Sequence, residues 1–203
     1  MISHKYKFVF TFLPKTGTTS IVNLFRSDSQ QRFADCHLTQ STQKHYDKLG
    51  DDELNYLKIS SCRNPFPRVV SLWKFWNKNL RKKKIPTTGF SYFVENYTKM
   101  QKKICSVFNK YEKIHFCSCV DGVALSTNNS LSHTDIDIWV RTENLQEDLD
   151  IICDKIGIPR QKLPHKNKSK HKHYTEYYND ETRQIVAEKY PKDIEYFGYE
   201  FGE

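Results

Sequence analysis

Glycine is scarce in this chain, 7 of 203 residues, and no Gly/Ser-rich linker or internal repeat interrupts it. One compact domain over residues 1–203 is the expectation, since 37% hydrophobic residues can supply a substantial core. The GxxxxGK[ST] loop of a nucleoside triphosphatase needs two glycines ahead of its lysine, and no such pair exists here; nor does a run of four apolar residues end in the Asp that would hold magnesium. Long apolar stretches are missing too. Met1-Ile-Ser-His-Lys-Tyr-Lys passes directly into a strand-like segment, which sets the expectation of no signal peptide, no membrane span and a cytoplasmic location. The six cysteines, Cys36, Cys62, Cys105, Cys117, Cys119 and Cys153, include no Cys-x-x-Cys knuckle. They read as buried thiols of a reducing compartment, and a zinc cluster of His115, Cys117, Cys119 and His133 is not expected, so no metal is assigned. Acidic residues are outnumbered, 24 against 32 Lys and Arg, for a formal net charge of +8.

The chain does carry a phosphate-loop order. Strand-like Lys7 to Leu13 runs into Pro14-Lys15-Thr16-Gly17-Thr18-Thr19-Ser20 and then into apolar Ile21, Val22, Leu24 and Phe25. A strand, a tight turn and a helix start follow one another. The first turn of a helix offers N–H groups without intrahelical partners and the positive end of the dipole, so an anion settles there. Gly17 permits close backbone approach, and Lys15 adds a positive charge with three donors.

A second strand-like run, Tyr56 to Ser61, leads into Cys62-Arg63-Asn64-Pro65-Phe66-Pro67-Arg68-Val69-Val70-Ser71. Val69, Leu72, Trp73, Trp76 and Leu80 recur at helical spacing, so a helix with one buried face is expected there. Together the two motifs resemble those of the sulfotransferases. The resemblance makes Lys15 to Ser20 (Lys15, Thr16, Gly17, Thr18, Thr19, Ser20) the 5′-phosphosulfate loop. It makes Arg63 and Ser71 the grip on the nucleotide's 3′-phosphate, a place where a planar guanidinium can bind bidentately.

The tail is similar to that of the Golgi-type carbohydrate branch of the family: Leu163 to Ser169, Tyr174 to Tyr178, and Ala187 to Tyr199 with its Phe-Gly-Tyr ending. That branch implies a loop over the cofactor carrying Asn167 and Ser169. The animal Golgi enzymes are membrane anchored, so a truncated catalytic domain is the alternative to a cytoplasmic protein. Further elements are expected as a helix around 90–111, a strand from Ile114 to Cys119, a strand from Ile136 to Arg141, a helix carrying Leu145, Leu149, Ile152 and Ile156, and a helix near 180–190. This alternation predicts an α/β, P-loop-like three-layer fold with a central parallel sheet flanked by helices, ligands lying beyond the carboxyl ends of the strands.

The resemblance implies 3′-phosphoadenosine 5′-phosphosulfate (PAPS) as donor and a hydroxyl acceptor, whose proton needs a base. His37 is the candidate, with Asp35, His45 and His133 as competitors. Lys74, Lys78, Arg81 to Lys84 and the lysines and histidines of 165–173 form a basic rim suited to a polyanionic cofactor and an acidic glycan. No nucleic-acid signature appears, and the sequence does not fix the oligomeric state. A non-catalytic binder of 3′-phosphoadenosine nucleotides and an atypical small-molecule kinase remain the alternatives.

Overall fold

The computed structural model of the chain describes residues 1–21, 49–127, 129–163 and 172–203. These form two compact units: Met1–Cys62 with Asp121–Ser169, and Arg63–Val120 with Lys170–Glu203.

The first unit holds a four-stranded sheet in the order β1 (Ile2–Ser3), β2 (Phe8–Thr11), β3 (Leu57–Cys62), β4 (Ile138–Arg141). β1 is an antiparallel edge strand, while β2, β3 and β4 are parallel, with Thr11 opposite Ser60 and Cys62 opposite Arg141. Strands buried on both faces are the mark of a parallel sheet covered by helices. One face, with Phe8, Phe10, Ile59 and Val140, packs against Leu149, Ile152 and Cys153 of α6 (Leu145–Ile156). The other presents Val9 to Val123 of α5 (Cys119–Ser126), joined by Leu131 and Ile136. The expected α/β fold, a largely parallel sheet flanked by helices, is observed. α6 ends where its apolar stripe ends, at Gly157 in the left-handed conformation (φ 72°). Residues 18–21 are helical (α1).

The second unit is built on α2 (Pro65–Lys82). Asn64 starts this helix by accepting a hydrogen bond from the Phe66 N–H, Pro65 occupies the first helical position where no N–H is needed, and Arg81 and Lys82 complement the dipole in the last turn. Its apolar stripe, Phe66, Val69, Val70, Leu72, Trp76 and Leu80, packs with Phe93, Tyr97, Met100, Ile104, Phe116 and Tyr190 from α3 (Phe90–Glu95), α4 (Tyr97–Val107) and the segments around them. α7 (Asp180–Lys189) and α8 (Pro191–Phe197) close the chain.

Two expected elements differ. The helix around 90–111 is two helices, because Asn96 (φ −104°, ψ 29°) ends α3 and begins α4. Ile114 to Cys119 is not a strand: Lys110–Phe116 is 3₁₀ helix, and Cys119 already belongs to α5. The apolar residues there serve a helical core, with Phe116 stacked on Phe93 and edge-on to Tyr97. No helix among the described residues is long and apolar enough to cross a membrane.

Candidate active site

The Pro14 to Ser20 loop leaves the carboxyl end of β2 and is wound tightly. Lys15 has φ 69° and Gly17 has φ 75°. A left-handed lysine carries a cost of about 1–3 kcal/mol, a strain that collects at functional sites. Left-handed residues in a turn also create the concave arrays of N–H groups that bind anions. The Ser20 N–H donates to the Gly17 carbonyl at 3.0 Å, closing the turn into α1.

The loop is braced from the sheet. Thr16 is fully buried and its hydroxyl donates to the Leu13 carbonyl at 2.7 Å. With that proton committed, the 2.6 Å hydrogen bond to Ser61 of β3 has the Ser61 hydroxyl as donor. Any contact from Thr16 to a phosphate is therefore made by its main chain. Gly17 lies against the end of β4 and the start of α6: a Cβ there would stand 3.3 Å from Leu145 Cδ2 and 3.7 Å from Thr142 Cγ2. Thr142 in turn donates to the Cys62 carbonyl at 2.9 Å. Ser61, Thr142 and Leu145 are supports that the motif itself does not reveal. Lys15, Thr18 and Ser20 remain half-buried and Thr19 is exposed.

In the second unit Arg63 and Ser71 are both half-buried, Arg63 just before the Asn64 cap and Ser71 within α2. Ser71 lies on the side away from the apolar stripe, one turn before Lys74, whose Nζ donates to the Tyr177 hydroxyl at 2.9 Å. The other arginine of the motif behaves differently. Arg68 is 2% exposed, its Nη1 donates to the Cys117 carbonyl at 2.8 Å, and Asp193 stands 3.8 Å away. The guanidinium also lies over the Tyr190 ring at 5.8 Å. Arg68 is part of the core, a role set by the distant Cys117, Tyr190 and Asp193.

His37, Asp35, His45, Asn167 and Ser169 lie outside the described residues. His133 is half-buried in a 3₁₀ turn that leads into the amino end of β4, whereas the Lys15 loop leaves the carboxyl end of β2. Among the described residues no group of three or more His, Cys, Asp and Glu side chains is placed to hold a metal ion. A cavity of about 430 Å³ opens between Val94 to Lys99 and Ile185 to Tyr190, and neither Arg63 nor Ser71 lines it.

Each unit thus carries one of the two motifs: a strained, sheet-braced lysine loop in the first and an Arg-Asn-Pro turn capping a helix in the second. The model of the sulfotransferase family matches residues 1–200. The chain belongs to the sulfotransferase family. No curated protein and no solved structure matches it. For a sulfotransferase the reaction is sulfuryl transfer to an acceptor, and the family match spans the Lys15 loop, the Arg63 turn and the tail through Glu200.

Proposed function

We propose that this protein transfers the sulfuryl group of PAPS to a hydroxyl of an acidic glycan. The observation that carries the reading is Lys15, held in a left-handed conformation beside Gly17 on a loop braced by Thr16 and Ser61. In the reaction the acceptor oxygen bonds to sulfur as the bond from sulfur to the 5′-phosphate oxygen breaks. The electron pair stays on that phosphate, and the acceptor proton passes to a base, for which His37 is proposed. Positioning and charge neutralisation are then the protein's main tasks. Lys15 faces the departing oxygen, the amides of 16–20 hold the 5′-phosphate, and Arg63 with Ser71 hold the 3′-phosphate; Asn167 and Ser169 are proposed to cover the nucleotide.

Charge supports the acceptor class. The second unit, residues 63–120 with 170–203, contains 18 Lys and Arg against 10 acidic residues. Such a field attracts a polyanion, whereas phenols and steroids need a largely apolar pocket. With labelled PAPS offered alongside acidic glycans, tyrosyl peptides and simple phenols, label is expected on the glycans. Preferential labelling of phenols overturns the acceptor assignment, and binding of PAPS with no transfer to any member leaves a non-catalytic binder.

Nucleotide recognition has its own measurement. Calorimetry is expected to show 3′-phosphoadenosine 5′-phosphate binding on the order of 10- to 100-fold more tightly than AMP, the worth of charge-assisted hydrogen bonds to one phosphate. Arg63→Ala removes most of that preference. Equal affinities for the two nucleotides in the wild-type protein sink the role given to Arg63 and Ser71.

A further inference from the structure

Three polar fasteners join residues 174–203 to alternate positions at the start of α2. Asn64 Nδ2 donates to the Glu200 carbonyl at 2.7 Å while its Oδ1 caps the helix. The Tyr178 hydroxyl donates to the Phe66 carbonyl at 2.9 Å. Arg68 faces Asp193, whose two oxygens also accept from the Cys119 and Val120 N–H groups at 2.7 and 3.0 Å. Around these bonds the rings of Tyr178 and Phe201 meet Phe66 edge-on, with centroids 5.8 and 5.0 Å away.

The arrangement is unusual in where it acts. α6 and α7 are finished by their own neighbours, Gly157 and the Asn179–Thr182 capping box. The first turns of α2 have their own Asn64 cap and are held in addition by residues 112 and 136 positions away. Those turns lie between Arg63 and Ser71. Asn64 sets the bend by which Arg63 enters the helix, and Arg68 fixes the turn that leads to Ser71.

We infer that residues 174–203 are a positioning clamp for 3′-phosphate recognition, with Asn64, Tyr178 and Asp193 as its contact points. The inference rests on the reading of Arg63 and Ser71 as the 3′-phosphate grip. A bidentate guanidinium contact depends on angle as well as distance, so a helix start free to rock loses part of it. A nucleotide without a 3′-phosphate does not sense that motion. The clamp residues touch no ligand; they preorganise the two that do.

The test is calorimetry on the full chain with 3′-phosphoadenosine 5′-phosphate and AMP, comparing wild type with Tyr178→Phe, Asn64→Ser and the pair. Both changes are conservative: phenylalanine keeps the ring contacts, and serine keeps a good N-cap oxygen. Gly157→Ala, which strains the left-handed end of α6 outside residues 174–203, serves as a control of comparable stability loss. Each clamp variant is expected to lose about five- to tenfold of its affinity for the 3′-phosphorylated nucleotide, the scale of one hydrogen bond, while its affinity for AMP stays within about twofold. The Gly157→Ala protein keeps the wild-type ratio. A lowered melting temperature with an unchanged ratio in both clamp variants overturns the clamp alone. A wild-type protein that does not prefer the 3′-phosphorylated nucleotide overturns the Arg63 and Ser71 reading and the clamp with it.

Discussion

Lys15→Ala is expected to lower the turnover of sulfuryl transfer by about 100-fold or more, close to 2.7 kcal/mol of transition-state stabilisation, with a much smaller change in nucleotide affinity. The asymmetry follows from where charge appears. In the ground state the sulfuryl group is still bonded to the 5′-phosphate; as that bond breaks, negative charge grows on the bridging oxygen, and an ammonium fixed beside it gains most at that moment. The backbone at residue 15 makes the experiment clean. Lys15 already pays for a left-handed φ of 69° with a β-carbon present, and alanine keeps the same β-carbon. The substitution thus removes the charge without relieving the strain, whereas Lys15→Gly would do both. Single-turnover rates at saturating donor and acceptor, beside calorimetry with 3′-phosphoadenosine 5′-phosphate, separate the two quantities. A variant that binds the nucleotide poorly but turns over normally defeats the role given to Lys15.

The strand, turn and helix form of the two motifs was legible because each is local. A strand, a turn with one glycine and a helix start lie within Lys7 to Ile21, and the capped start of α2 is written in Asn64-Pro65. What holds these motifs was not legible, because it comes from far along the chain. Ser61 meets Thr16 across 45 residues, Thr142 meets Cys62 across 80, and Leu145 closes over Gly17. The same distance explains the error at Ile114 to Cys119. Alternating Ile114 and Phe116 reads as a strand, but the local pattern carries no sign that the Asp193 carboxylate caps the N–H groups of Cys119 and Val120 and so sets the start of a helix there. Asn96 shows the converse. An apolar period runs through it, and only a residue of modest helix propensity marks where α3 gives way to α4.

Asp193→Ala is expected to destabilise the fold by about 3–5 kcal/mol, the cost of removing one partner from a buried ion pair. Asp193 is fully buried, and its two oxygens serve three groups: the Arg68 guanidinium at 3.8 Å and the N–H groups of Cys119 and Val120. Burial pushes the carboxyl's pKa up from its ordinary value, and Arg68 with the two backbone donors pulls it back only in part. Alanine leaves a guanidinium 2% exposed with its anionic neighbour gone and strands the start of α5 without a cap. A loss of that size lowers the melting temperature by roughly 10 °C in a chain of this length. Asp193→Asn, which keeps the volume and one accepting oxygen, is expected to cost less than alanine. The pair Arg68→Met with Asp193→Leu should recover the part of the loss that comes from the unpaired guanidinium, while the Cys119 and Val120 N–H groups stay without their acceptor. Thermal and urea unfolding of the singles and the pair, read as a double-mutant cycle, give the coupling directly. Additive losses in that cycle would show that Arg68 and Asp193 are stabilised separately, Arg68 by the Cys117 carbonyl and the Tyr190 ring, and Asp193 by its two backbone donors.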